Sequence, residues 1–293
     1  MRHLSDIKTL SAITVIVAII SSIAQADRVD TQAGITESYC EACRVGYNHL
    51  KGLAIFAKQV EVSIPNDPRK ELDRIAHPEY NGIGLVKSSL GRGTGFMINE
   101  CLMLTNKHVI GAGKNIIGNS VDFHAGQSVT DRSKSFEYKV QGTVVASGNQ
   151  EGERSDDITE DWALVKLNKS VGEKIGFTKI GFAEVEDAKD ECESLEIAGF
   201  PADKDYKNLW WQGDCKLFPE TSGPSAFNIG CPITPGNSGS PLICKRKNKP
   251  NLAIGIATQS AIKNENTQSY ALNFTVDEPL IAQAIKKNQS CNN

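Results

Sequence analysis

Thr234-Pro235-Gly236-Asn237-Ser238-Gly239-Ser240-Pro241 sets one serine, Ser238, between two glycines, Gly236 and Gly239. Glycine reaches positive φ without the steric cost of a side chain, so the spacing predicts a tight turn with Ser238 at its crest. Such a turn would aim the backbone N–H groups of Gly236 and Ser238 at one point, where they stabilise the charge that develops on a carbonyl oxygen under attack. A Gly-x-Ser-x motif is weak on its own. Its weight depends on what else the chain carries.

Upstream, Leu104-Thr105-Asn106-Lys107-His108-Val109 follows two strand-like runs, Gly95–Ile98 and Cys101–Leu104, and Asp161 opens the apolar run Trp162-Ala163-Leu164-Val165-Lys166-Leu167. A serine hydroxyl is a poor nucleophile until a neighbouring base takes its proton. Neutral imidazole suits that task because its unperturbed pKa of about 6.5 lies near the working pH, and a carboxylate on its far nitrogen fixes the tautomer. His108, Asp161 and Ser238 supply those groups, in that order along the chain. In this order, and in Gly93-Thr94-Gly95-Phe96, the Leu-Thr-Asn-Lys-His-Val run and the Pro-Gly-Asn-Ser-Gly-Ser-Pro run, the chain resembles the trypsin/chymotrypsin-like serine protease superfamily. It looks most like the bacterial glutamyl-endopeptidase-like and DegP-like branches, over roughly residues 81 to 290.

The resemblance implies an all-β fold of two antiparallel six-stranded β-barrels with a C-terminal α-helix. His108 and Asp161 would stand on the first barrel and Ser238 on the second, with a cleft between them. It implies a serine endopeptidase acting on polypeptides, with Gly236 and Ser238 as the oxyanion hole. No PDZ module follows the motifs.

Rivals exist for each role. His49, His77 and His124 lack the context of His108, although His124 also lies in a strand-like run, Val121-Asp122-Phe123-His124. Asp156 and Asp157 belong to the charged stretch Glu151–Glu160, which reads as a solvated loop, whereas Asp161 stands where that loop meets a buried strand. Ser240 competes with Ser238, but the glycine spacing favours Ser238 for the crest.

The chain also departs from the digestive enzymes of the superfamily. Asn237 replaces the aspartate that receives a newly released amino terminus, so no such activation switch is expected. Pro232 takes the place, six residues before the nucleophile, where trypsins carry an aspartate, and no acid occurs from Ile229 to Asn237. Glutamyl endopeptidases carry a histidine on the strand after the nucleophile, and here that strand reads Gly255-Ile256-Ala257-Thr258. A pocket for small or medium apolar side chains is therefore expected, with the segment from Ile256 through Ala257 and Thr258 to Gln259 pairing with extended substrate.

Residues 1–26 read as a signal peptide: Arg2 and Lys8 at the start, an apolar run from Leu10 to Ile23, then Ala24-Gln25-Ala26. A secreted or periplasmic protein is expected, with no stable membrane insertion after cleavage. Residues 27–80 match none of the motifs and read as an N-terminal extension, either a propeptide or a helix packed on the domain; residues 81–293 form the protease domain. The formal net charge is −3, and without a basic patch nothing points to nucleic acid.

The 8 cysteines all follow the signal peptide, which favours disulfides. Cys215 and Cys231 bracket a predicted hairpin just before the nucleophile turn, and related bacterial proteases carry a pair at similar places. Cys40-Glu41-Ala42-Cys43 has no partner motif for zinc and no thioredoxin-like surroundings, so structural disulfides are expected there too. The acidic stretches Glu151–Asp161 and Glu184–Glu193 lack EF-hand spacing, and no metal or cofactor is expected.

From about Asn81, short runs with period-two alternation recur between turn residues, while Glu278–Lys287 carries an apolar helical face. A catalytically silent relative that binds peptides or a partner protein is the competing function, and the presence of all three chemical groups argues against it.

Overall fold

A computed structural model describes residues 64, 66–111, 115–126, 136–148, 160–219, 222, 225–263, 266–275 and 277–291. The signal peptide, the Cys40–Cys43 pair, His49 and the acidic residues Asp156 and Asp157 lie outside these residues.

The described chain is mostly β. Its strands are β1 (Lys70–Glu71), β2 (Ile83–Lys87), β3 (Arg92–Met97), β4 (Leu102–Thr105), β5 (Ser120–Ala125), β6 (Tyr138–Ser147), β7 (Ala163–Leu167), β8 (Lys179–Ile180), β9 (Ser194–Gly199), β10 (Trp210–Gln212), β11 (Ala226–Ile229), β12 (Pro241–Lys245), β13 (Leu252–Lys263) and β14 (Asn266–Asn273). β2 to β7 close into a six-stranded barrel in the order β2-β3-β4-β7-β6-β5, antiparallel at every ladder.

The remaining strands form an eight-stranded sheet ordered β1-β10-β9-β12-β13-β14-β11, with β8 added in parallel to β13. The run that continues β10 bridges from β9 to the edge strand β11. Cys215 N–H donates to the Leu195 carbonyl at 2.8 Å, while Phe218 N–H reaches the Asn228 carbonyl and Gly230 N–H the Lys216 carbonyl. The run 210–218 thus leans on β9 at its start and on β11 at its end, closing five strands and itself into a ring. β1 and β8 are additions to the expected six. β1 pairs with β10, and Tyr80 sits in the core, so the fold takes in residues ahead of Asn81.

The period-two pattern explains why three apolar clusters form. Along β4, Leu102 and Leu104 face outward from the barrel and pack with Ala198, Phe200, Ile243, Ile256 and Leu272 of the second sheet. Met103, between them, points inward to Val86, Met97, Phe123 and Val165. β13 divides between the same two layers, with Ala253 and Ile256 towards the barrel and Ile254 and Ala257 into the sheet's own core, the alternation slipping by one residue at the bulge opposite Leu242 and Ile243. Strands buried on both faces read as unbroken apolar runs, because neither face meets water.

The predicted C-terminal helix forms over Glu278–Asn288. Short helices also form at Lys107–Ile110, Gly172–Ile175 and Val185–Glu191. The last lies in the acidic stretch Glu184–Glu193, for which the sequence pattern signalled no helix. It buries only Ala188, and its charged residues keep their water, so no apolar periodicity marks it in sequence.

Candidate active site

β4 ends at Thr105, and the chain turns through the extended Asn106 into the single helical turn Lys107–Ile110. Val109 and Ile110 are drawn into the barrel interior, which leaves His108 on the outer side with its side chain 47% exposed. Asp161 stands immediately before Trp162 and β7, and its side chain is mostly buried. Its carboxylate takes two bonds from one residue: Oδ1 accepts the His108 backbone N–H at 3.0 Å, and Oδ2 lies 2.7 Å from His108 Nδ1. A carboxylate only accepts, so Nδ1 carries the hydrogen and the lone pair of the neutral ring is left on Nε2.

Asn106 supports this pair from behind. Its amide donates to the Asp161 carbonyl at 2.7 Å and to Thr258 Oγ1 at 3.0 Å, and the Thr258 hydroxyl donates in turn to the Ile256 carbonyl at 3.2 Å. Sequence reasoning passed over Asn106, although it lies inside the motif that singled out His108.

The turn that carries Ser238 has the predicted positive-φ glycines. Gly236 and Gly239 take φ of +93° and +90°. A Cβ on Gly236 would stand 2.4 Å from the Phe200 carbonyl oxygen, and one on Gly239 only 1.8 Å from that of Thr94. Both positions therefore need glycine for space as well as for φ. Within the turn, the N–H groups of Asn237 and Ser240 donate to the Thr234 and Asn237 carbonyls, and that of Gly239 to Ala257. Among the described residues, the N–H groups of Gly236 and Ser238 donate to no backbone carbonyl.

Strand β3 brings the two arms of the site together. Thr94 N–H donates to the Ser238 carbonyl at 2.7 Å, and Thr94 Oγ1 donates to the Gly236 carbonyl at 2.8 Å. At the adjacent Gly93, the space where a Cβ would go is bounded by both the Val109 methyls and the Ser238 carbonyl. The residue after His108 and the crest of the serine turn thus share one neighbour.

The rival residues sit elsewhere. Ser240 is wholly buried, with its Oγ where a side chain on Gly199 would go. His124 on β5 packs edge-on to Phe136, and burial, aided by Lys87 and Lys139, pushes its pKa down to about 4, so it is neutral at pH 7. His77 lies beside Tyr80 and Glu79.

The trypsin family model matches residues 84–279. This chain belongs to the trypsin family. Among solved structures, it is similar to a Glu endopeptidase at 19% identity and a TM-score of 0.55, covering 76% of this chain and 100% of that one. The protease Anisep from Arthrobacter nicotinovorans is similar at 15% identity and a TM-score of 0.54, covering 76% and 100%. Human heparin binding protein is similar at 14% and 0.55, covering 74% and 95%. These likenesses are of fold.

In this trypsin-family chain, the residues expected to meet substrate are placed unevenly. Ile256 and Ala257 are fully buried, and both backbone edges of β13 are occupied there: Pro241 pairs with Ile256, Ala257 bonds to Gly239 and Ser240, and β14 covers the other side. Neither can accept a substrate strand. The register breaks between Ala257 and Gln259, so Thr258, at that bulge, is the first position where the edge loosens. Pro232 is buried between Cys231 and Ile233, and Ile233 N–H donates to Ser269 Oγ at 3.1 Å. Pro232, Ile233 and Ser269 bring no charge to that region.

Among the described residues, three cysteine pairs stand at disulfide distance: Cys215–Cys231, Cys192–Cys244 and Cys101–Cys291. The first lies within the ring closure of the second sheet. The third ties the β3–β4 turn to the end of the chain.

Proposed function

We propose that this chain is an exported serine endopeptidase in which Ser238 is the nucleophile, His108 the general base and acid, and Asp161 the residue that orients the base. The observation that carries the reading is the 2.7 Å contact of His108 Nδ1 with Asp161 Oδ2, which leaves Nε2 as the proton acceptor on the open side of the ring. Ser238 Oγ attacks the scissile carbonyl carbon while Nε2 takes its proton. The N–H groups of Gly236 and Ser238 receive the oxyanion, a contribution of about 3–4 kcal/mol for each donor. His108 then returns the proton to the leaving amine, and water repeats the sequence on the acyl-enzyme to release the second product.

The uncharged surroundings of Pro232 favour small or medium apolar side chains before the cleaved bond, and the β13 edge from Thr258 onward would pair with the substrate backbone. The cysteine pairs at disulfide distance and the apolar leader of residues 1–26 support export to an oxidising compartment.

The test is labelling with a fluorophosphonate probe, followed by peptide mapping. Modification of Ser238 that disappears in His108→Ala is the expected result. A folded protein that stays unlabelled would instead be a silent homologue, a role open to this fold, which also occurs in a protein named for binding heparin. A peptide-library digest with cleavage clustered after charged residues would remove the apolar-pocket assignment.

A further inference from the structure

The segment ahead of β1 reaches the nucleophile turn through one buried cation. Arg69 has a side chain only 3% exposed, and it is held from both sides by carboxylates. Its Nε and Nη2 donate to the two oxygens of Asp67 at 2.9 Å each, and Nη1 and Nη2 donate to the two oxygens of Asp203. Nη1 also donates to Thr234 Oγ1 at 2.9 Å, and the same hydroxyl donates to Asp203 Oδ1 at 2.9 Å. Lys204 adds a second cation to Asp67 at 3.1 Å.

Asp203 and Thr234 belong to the two stretches that form the back of the oxyanion turn. Thr234 accepts the Asn237 N–H on its carbonyl, and the next residue, Pro235, accepts Ala202 N–H at 2.7 Å. Gly236 lies against Phe200, Ala202 and Tyr206, with no room for a methyl group. The 200–206 stretch and the 234–237 stretch are therefore stitched together, and Arg69 is the cross-brace where they diverge. A guanidinium suits the task, since its planar fork satisfies two carboxylates and a hydroxyl at fixed angles.

Asn237 leaves the turn without the carboxylate that a freed amino terminus would need. The buried cation comes instead from the middle of the chain, so no cleavage is required to create it.

We propose that Arg69 is a positioning residue for the oxyanion hole: through Thr234 and Asp203 it sets where the Gly236 N–H points. The proposal rests on the protease reading above. It places the brace in a segment that the family match, starting at residue 84, does not include.

The test compares full-length wild type with Arg69→Met, Arg69→Lys and Thr234→Ala. Active sites are titrated with the fluorophosphonate, kcat and KM are measured per titrated site on one peptide, and affinity is measured for a peptide aldehyde, to whose carbonyl carbon Ser238 Oγ adds as its proton passes to His108, leaving the former carbonyl oxygen as a hemiacetal oxyanion. Displacement of a catalytic donor by a fraction of an ångström to an ångström costs up to about 100-fold. Arg69→Met is therefore expected to lower kcat about 10- to 100-fold with KM little changed, and to weaken aldehyde binding in parallel. Arg69→Lys should recover part of the loss, because it keeps the charge and loses the fork.

If Arg69→Met does not fold, Thr234→Ala decides, with an expected 3- to 10-fold loss in kcat. A purely structural brace would lower thermal stability while leaving kcat per titrated site and aldehyde affinity at wild-type values, and that result overturns the proposal. A wild type that the probe does not label at Ser238 overturns the protease reading and the brace together. A labelled wild type with equal kcat in the variants overturns the brace alone.

Discussion

The barrel of β2–β7 and the sheet that carries Ser238 are built from similar alternating apolar runs, yet they hold their shapes by different means. The barrel closes through continuous backbone ladders, and its interior is filled by Val, Met, Phe and Leu side chains. The sheet closes through a run that pairs at only a few points, and it adds the Cys215–Cys231 pair, the edge strand β1 and the Arg69 cluster around the place where its ladder is thinnest. The chemical groups follow this division. His108 and Asp161, on the barrel, contact each other directly, so their geometry is complete within one unit. The shape of the serine turn depends on glycine backbone angles, on Ala257 and the 200–206 stretch of its own unit, and on Thr94 of the barrel. One arm of the site is fixed by a direct contact between its two side chains, and the other by backbone angles braced from outside by the Thr94 and Arg69 side chains.

The largest effect expected from breaking either arm is on catalysis. Ser238→Ala or His108→Ala should each lower kcat by about 10⁶-fold, because residues that act as one unit lose nearly everything together. Asp161→Asn should lower it by about 10⁴-fold, since the amide would hold the wrong tautomer. The double variant Ser238→Ala with His108→Ala should be no worse than either single. A product of the two losses, measured by initial rates on a peptide ester, would show that they are not one machine.

How much was legible in sequence follows the same division between side chain and backbone. The roles proposed for His108, Asp161 and Ser238 could be read because the chemistry they would carry is local to short motifs with strands beside them. Gly236 and Gly239 could be named because positive φ has a residue-level signature. Ile256 and Ala257 were misplaced as a substrate edge because occupancy of a strand's two edges depends on which strands flank it, and that pairing is set 14 or more residues away. Arg69 was invisible for a similar reason: beyond the local Asp67, its partners Asp203 and Thr234 lie 134 and 165 residues along the chain, and an arginine in a polar segment carries no mark of burial. Asn106 was hidden differently, since its partners are the backbone of the acid and a threonine on the other sheet, 152 residues along the chain.

The comparison sharpens at two glycines with similar backbone angles. Gly118, beside the barrel, has φ of +87° and open space where a Cβ would go, whereas Gly239 has φ of +90° and the Thr94 carbonyl in the way. Gly118→Ala should cost only the left-handed conformation, about 1–2 kcal/mol in urea unfolding. Gly239→Ala should cost about 3 kcal/mol or more and abolish labelling of Ser238, because the turn must move to admit the methyl group. Equal costs would mean that the serine turn yields more freely than its packing indicates.

A smaller effect is expected behind the acid. Asn106→Ala removes two donors, one to the Asp161 carbonyl and one to Thr258, but leaves the His108–Asp161 contact in place. A loss of about 1 kcal/mol in transition-state stabilisation, or roughly 5-fold in kcat, is expected from a neutral hydrogen bond. Thr258→Val should give a similar loss, and the pair together should lose less than the sum, because the two side chains share one bond.

The smallest effects separate the two regions by pH. His124, on the barrel, has its pKa lowered from 6.5 to about 4 by burial and by Lys87 and Lys139. The unfolded chain then binds more protons between those values, so the His124 contribution is complete above pH 6.5 and declines as the pH falls towards 4. Asp67, on the sheet side, is pushed upward by burial, but the Arg69 side-chain and backbone N–H groups and Lys204 outweigh this and hold it at about 2 against an ordinary 3.8. Its contribution is complete above about pH 4 and is lost as the pH falls towards 2. Both side chains keep solvent contact, so each effect should be about 1 kcal/mol or less. Urea midpoints measured from pH 8 to 2 should show two separate declines. His124→Gln should remove the one between 6.5 and 4, and Asp67→Asn the one between 4 and 2. A single decline removed by either variant would mean that the barrel and the sheet do not titrate independently.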